Sequence, residues 1–193
     1  MNTPEAGMPQ PDNKRFLDNA PRVETHKLCN GQRLEFYQDV PPIISKSDAI
    51  AEQGINGDIL AVIELPPDDD AHGKAKRIAI VDFGPGAEDP EGVPVALLHD
   101  EPVWYMGVAS NRFGLFGMNY SPTTHLSPYV PLTDKPAVLG TNSEHASYFM
   151  GLSVNDPTAE SSLSLAHVSI EVIEDRIVIE DSSELGTTVY TAY

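Results

Sequence analysis

The chain has 193 residues, with 29 acidic against 12 basic side chains and a formal net charge of −17. Such a surface repels polyanions, so neither nucleic acid nor an anionic membrane is expected as a partner. The single cysteine, Cys29, excludes an internal disulfide and a thiolate metal site, which fits a reducing, cytoplasmic location.

Residues 1–22 are rich in Pro, Asn and Asp and contain few large apolar side chains. They cannot bury enough surface to offset the entropy of ordering, so we predict a flexible arm. No stretch of the chain is apolar enough to be a signal peptide or a membrane span.

After the arm, short runs rich in β-branched and aromatic residues alternate with turn sequences and predict about eleven strands. Two of these strands, at residues 166–173 and 176–180, are joined by a short turn. Their apolar residues alternate with polar ones and are predicted to face a core: Val168, Ile170, Val172, Ile177 and Ile179. The predicted strands cover residues 33–37, 58–65, 77–83, 93–98, 103–108, 112–118, 136–140, 148–153, 166–173, 176–180 and 187–190.

One segment, residues 45–54, has the pattern of a helix. Ser45 or Ser47 can cap its start, Asp48 suits the first turn, and Gly54 can take the left-handed conformation that ends it. Many short strands and a single short helix predict an all-β fold, an antiparallel β-sandwich.

Three short motifs follow one another near the end of the chain: "VLGTNSE" around Gly140, "SLAH" at residues 164–167, and "SELGTTV" around Gly186. In order and spacing, residues 127–193 resemble a forkhead-associated (FHA) domain. That family has Gly-Arg after an early strand, Ser-Arg-x-His before a central strand and Asn-Gly-Thr before a late one. The segment "MGLSVNDPTAESS", with Asp156, is also similar to the family pattern.

The resemblance implies a SMAD/FHA-like sandwich that binds a protein or peptide partner through loops at one end. Residues 127–193 are shorter than a whole domain of this family, so upstream strands must complete the sandwich. Residues 23–126 form a β-rich region of unassigned type, and it is left open whether they belong to the same sandwich.

In the family, the Arg after Gly, the Ser and the Asn before Gly-Thr contact the phosphothreonine peptide, whereas the His orders the loops. This chain keeps Ser164 and His167 but has Thr141, Leu165 and Leu185 at the Arg, Arg and Asn positions. Gly140 and Gly186 are predicted to supply turn conformations that other residues avoid. The ligand-binding positions that the resemblance implies are Thr141, Asn142, Ser164, Leu165, His167, Leu185, Gly186 and Thr187.

Loss of the Arg positions matters because a partly desolvated phosphate needs charge-assisted donors, which a Thr hydroxyl does not replace. Residues 131–193 also carry ten acidic and two basic side chains, a net charge of −8. The sequence therefore predicts a protein–protein interaction module of degenerate FHA type that is not a strong phosphothreonine binder. Whether its partner is phosphorylated is left open.

The alternative is a hydrolase or metal-dependent enzyme with its site in residues 23–126. Asp68, Asp69, Asp70 and His72 offer metal ligands, Cys29 offers a nucleophile, and an acidic His-Asp-Glu run at 99–101 precedes Trp104. No spacing among them forms a coherent catalytic set, so these runs are interpreted as loops, and no cofactor or metal is expected.

Overall fold

In the computed structural model, strands dominate and one short helix, α1 (Lys46–Gln53), is present in the described part of the chain. The description covers residues 23–66, 76–97, 105–117, 129–140, 148–149, 164 and 166–192. The strands are β1 (Val23–Leu28), β2 (Arg33–Tyr37), β3 (Asp58–Leu65), β4 (Lys76–Asp82), β5 (Val93–Leu97), β6 (Tyr105–Ala109), β7 (Phe113–Gly117), β8 (Tyr129–Pro131), β9 (Ala137–Gly140), β10 (Tyr148–Phe149), β11 (Val168–Ile173), β12 (Arg176–Asp181) and β13 (Thr187–Ala192).

The strands build two main sheets and a separate hairpin. A six-stranded antiparallel sheet has the order β1-β13-β3-β4-β7-β8, and a five-stranded sheet has the order β10-β9-β11-β12-β2. The five-stranded sheet is antiparallel except for the short β9–β10 pair. Strands β5 and β6 pair only with each other within the described residues.

The main core lies between the two sheets. From the five-stranded sheet, Val168, Ile170, Ile177 and Ile179 are all buried, and Val172 packs against them partly buried. Ile63, Ile80, Leu115 and Val189 of the six-stranded sheet belong to the same cluster. The predicted all-β, antiparallel β-sandwich with one short helix is therefore confirmed.

A second apolar layer covers the outer face of the six-stranded sheet. It joins Val62 of β3 and Val81 of β4 to Ala49 of α1, Val95 of β5 and Ala109 of β6. Strand β3 is therefore buried on both faces, which explains why its sequence, DILAVIEL, lacks apolar–polar alternation.

The helix starts and ends close to the predicted positions. Gly54 ends it in the left-handed conformation, with φ of 68°, and Asp48 lies in the first turn. Ser45 is the N-cap residue, but its hydroxyl donates to Asp48 Oδ2 at 2.9 Å instead of capping the backbone. The backbone N–H of Lys46 donates to Asp58 Oδ1 at 2.6 Å, so a carboxylate from β3 takes the capping role.

Both halves of the chain contribute strands to both sheets. Strand β13, near the end of the chain, lies between β1 and β3, and β2 pairs with β12. Residues 23–126 and 127–193 thus share one sandwich, and β7 is among the upstream strands that complete it. The predicted arm, residues 1–22, lies outside the described residues. No helix in the part of the chain described above is long and apolar enough to cross a membrane.

Candidate functional site

Four strand ends meet at one end of the sandwich. Strand β9 ends at Gly140, β11 begins just after His167, β12 ends at Asp181, and β13 begins at Thr187. Antiparallel pairing of Val168 with Leu139 and with Asp181 holds these ends side by side. We call this region the loop end, defined as Gly140, Ser164, His167 and residues 181–187.

His167 is fully buried and links three segments of the loop end. Its imidazole Nδ1 accepts a hydrogen bond from the backbone N–H of Ser164 at 3.2 Å, and its Nε2 lies 3.0 Å from the carbonyl oxygen of Gly186. Because Nδ1 is the acceptor, the proton of the neutral ring is on Nε2, which donates to Gly186. The backbone N–H of His167 donates to Leu139 O at 2.8 Å, which adds strand β9 to the junction.

Burial lowers the pKa of His167 below its ordinary value of 6.5, although the Gly186 carbonyl and the Asp181 charge act in the opposite direction. The ring is therefore neutral near pH 7. It positions the loops through its two nitrogens and carries no positive charge to a ligand.

This pKa shift predicts that the free energy of unfolding decreases as the pH falls below about 6.5. The unfolded chain takes up a proton at that pH, whereas the folded chain does not until the lower folded-state pKa is reached. We expect a slope of at most about 1.4 kcal/mol per pH unit from this residue. Urea unfolding at a series of pH values should show this decrease in the unfolding free energy for the natural chain and not for His167→Gln. Equal slopes in the two proteins would contradict the neutral buried ring.

Asp181 is the second buried polar group at the loop end. Its carboxylate accepts hydrogen bonds from the Ser183 backbone N–H at 2.9 Å, from the Ser183 hydroxyl and from the Thr187 hydroxyl. The Ser183 hydroxyl in turn accepts from the Gly186 N–H at 2.8 Å. These bonds satisfy the buried charge and fix the 181–187 loop.

The two glycines of the predicted motifs differ in conformation. Gly186 has φ of +86°, and a Cβ atom there would lie 2.7 Å from Leu28 O, so the turn requires glycine. Gly140, in contrast, is a buried residue of strand β9 opposite Phe149, and its φ is not positive. The prediction of a special turn conformation is wrong for Gly140, because this residue is the last of strand β9 and pairs with Phe149.

The structure brings together most of the predicted site residues that it describes. Ser164, His167, Gly186 and Thr187 meet in the network above, and Thr187 is buried with its hydroxyl donated to Asp181. Leu185 points outward with 64% of its surface exposed. The predicted positions that lie outside the described residues are Thr141, Asn142 and Leu165.

Sequence reasoning missed Asp181 and Ser183. The alternation of inward-facing Ile177 and Ile179 along β12 places Asp181 inward as well, because side chains two apart in a strand share a face. An acidic residue in phase with the core positions and followed by Ser-Ser is the signal that would have identified this network.

The residues considered for an enzyme do not assemble in the described part of the chain. Cys29 is exposed in the turn after β1, where its backbone N–H donates to Gln32 Oε1. No group of three or more His, Cys, Asp or Glu side chains among the described residues can hold a metal ion. The acidic run at 68–72 and the run at 99–104 lie outside the described residues.

Comparison of the chain with protein-family models, with curated proteins and with solved structures finds no match. The geometry of the loop end therefore carries the functional argument.

Proposed function

We propose that this chain is a cytoplasmic protein–protein interaction module of degenerate FHA type, which contacts a protein or peptide through the loop end. The observation that carries the proposal is the position of His167. The buried ring bonds Ser164 and Gly186, and the backbone N–H of the same residue bonds Leu139, so His167 connects the three places where the sequence resembles the family pattern.

A shared binding surface requires that the three motifs lie close together. Loops that connect strands are free to carry recognition side chains, provided that the scaffold fixes their positions. Here the scaffold consists of His167, Asp181 and Ser183, all buried and hydrogen-bonded. The outer surface of the same loop presents Glu184 and Leu185, which are both exposed.

The distribution of basic residues argues against strong phosphate binding. Residues 131–193 contain two basic residues, Lys135 and Arg176. Lys135 precedes β9 and Arg176 begins β12, whereas the loop end lies where these two strands finish. Arg176 also donates to Glu35 Oε2 at 3.0 Å. Both charges are therefore at the opposite end of the sandwich from Ser164.

We expect phosphothreonine peptides to bind the natural chain with millimolar dissociation constants or worse, about −4 kcal/mol. A phosphate at the loop end would meet an acidic segment, and the guanidinium of Arg33, which pairs with Glu180 beside the loop end, already contacts Glu35 at 3.0 Å. Isothermal titration measures the dissociation constant for a pool of phosphothreonine peptides. The same pool without phosphate is the control. Micromolar binding specific to the phosphorylated pool would overturn the prediction that the phosphate contacts have been lost.

A further inference from the structure

A second surface lies at the end of the sandwich opposite the loop end. There the two sheets part and leave two adjoining cavities with volumes of about 510 and 330 Å³. Gln38 and Arg112 line both cavities, so the two adjoin, and together they are called the cleft. The combined volume is within the range of sites that hold amino-acid side chains or small ligands.

The cleft has an apolar floor and a polar rim. Phe113, Leu132 and Val172, which belong to the main core or pack against it, line the smaller cavity. The turn between β11 and β12 forms part of the rim and is fixed to β2, because the Gln38 N–H donates to Asp175 O at 2.9 Å and its amide Nε2 donates to Glu174 O at 2.8 Å.

Exposed apolar surface continues from the cleft onto the outer face of the five-stranded sheet. Ile173, Arg176 and Tyr37 are direct cross-strand neighbours, and the Arg176 guanidinium lies 5.4 Å from the centre of the Tyr37 ring. Tyr37 is 53% exposed and Ile173 is 39% exposed. Tyrosine and arginine beside an exposed aliphatic side chain are typical of the centres of protein interfaces.

The charges around the cleft favour a cationic ligand. Arg112 is neutralised by Asp82, which accepts two hydrogen bonds from it at 3.0 Å. Arg176 pairs with Glu35, which it shares with Arg33, and lies 3.9 Å from Asp175. The other charged side chains that line the cleft are all acidic: Asp39, Glu88, Asp134, Glu174 and Asp175. Lys135, which is exposed and follows Asp134 in the sequence, is the basic residue beside them.

Glu174 is notable because its backbone conformation is unfavourable for its residue type. Its φ is +54°, and no other non-glycine residue in the described part of the chain has a positive φ. Asn or Gly is preferred at such a hairpin position. The hydrogen bond from Gln38 uses the backbone oxygen of Glu174, so the turn does not require the carboxylate. A residue held in a conformation that is unfavourable for its type is a reason to ask whether its side chain has a function.

We propose that this cleft binds a basic segment of a partner protein. A Lys or Arg side chain lays its aliphatic part along Phe113 and Val172 and places its charge near Glu174 and Asp134. An apolar neighbour on the same segment packs against Tyr37. This surface is independent of the loop end, so the module contacts two segments, or two partners, at its opposite ends.

The test compares two fluorescein-labelled peptide pools by fluorescence anisotropy. In one pool a single Arg stands between apolar residues, and in the other Glu replaces that Arg. We expect the natural chain to prefer the Arg pool, and added salt to weaken this binding. Glu174→Asn should weaken it roughly two- to fivefold, as expected for one exposed ion pair. It should also raise the melting temperature by about 2 °C, because Asn tolerates the positive φ better. Tyr37→Ala should weaken binding about tenfold.

Glu24→Asn is the matched control, because it removes the same charge from an exposed position on β1, outside both the cleft and the loop end. It should leave binding of the Arg pool unchanged. Equal binding of the two pools, no binding of either, or equal losses in Glu174→Asn and Glu24→Asn would overturn the proposal. The last result would mean that the overall negative charge, and not the cleft, attracts the peptide.

Discussion

Ile170→Asp is expected to cost about 4 kcal/mol of unfolding free energy or more, which is a large part of the roughly 5–15 kcal/mol that stabilises a typical native protein. Ile170 is fully buried at the centre of β11, between Ala137 of β9 and Ile179 of β12. It faces the six-stranded sheet across the main core. A carboxylate there would lose its hydration and gain no partner, and the packing of the isoleucine would be lost.

Ile173→Asp provides the matched control, because it places the same substitution on the same strand. Ile173 faces the outer surface opposite Arg176, so the new carboxylate stays hydrated and lies beside a cation. Urea unfolding of the three proteins should show a large loss for Ile170→Asp and less than about 1 kcal/mol for Ile173→Asp. Similar losses in both variants would mean that β11 does not place Ile170 in the core.

The strands with clear apolar patterns were predictable from the sequence. Strands β2 and β3 have the predicted bounds, and β11 and β12 differ from prediction by one or two residues. Strands β1 and β8 were missed. Strand β1, VETHKL, is an edge strand that pairs with β13 alone among the described strands, so most of its side chains are polar and exposed. Strand β8 has three residues, too few to show a period.

The order of strands was not predictable, because it depends on pairing between distant segments. Nothing local in β13 indicates that it inserts between β1 and β3. The loop end is also hard to predict, because its contacts join segments that are distant in the sequence. His167 was expected to have a structural role, and its hydrogen bonds show one. Asp181 gains its partners only when the 181–187 loop closes on itself, an arrangement that strand patterns do not reveal.

The proposal of a degenerate FHA module predicts that introducing the family's Arg and Asn creates phosphopeptide binding. Leu185 is exposed and immediately precedes Gly186, whose carbonyl holds His167, so Leu185→Asn places an amide at the loop end without disturbing the core. Thr141→Arg adds a guanidinium directly after Gly140, the last residue of β9. Each good charge-assisted hydrogen bond contributes roughly 1.5 to 3 kcal/mol, which is about ten- to a hundredfold in affinity.

The most direct test is isothermal titration of one phosphothreonine peptide pool into three proteins: the natural chain, the double variant Thr141→Arg, Leu185→Asn, and the double variant with Ser164→Ala added. The third protein keeps the backbone hydrogen bond from residue 164 to His167 and removes only the hydroxyl. We predict millimolar or weaker binding by the first protein, a gain of at least about tenfold in the second, and loss of most of that gain in the third. No gain in a double variant that melts like the natural chain would contradict the claim that the three motifs form one FHA-like binding surface.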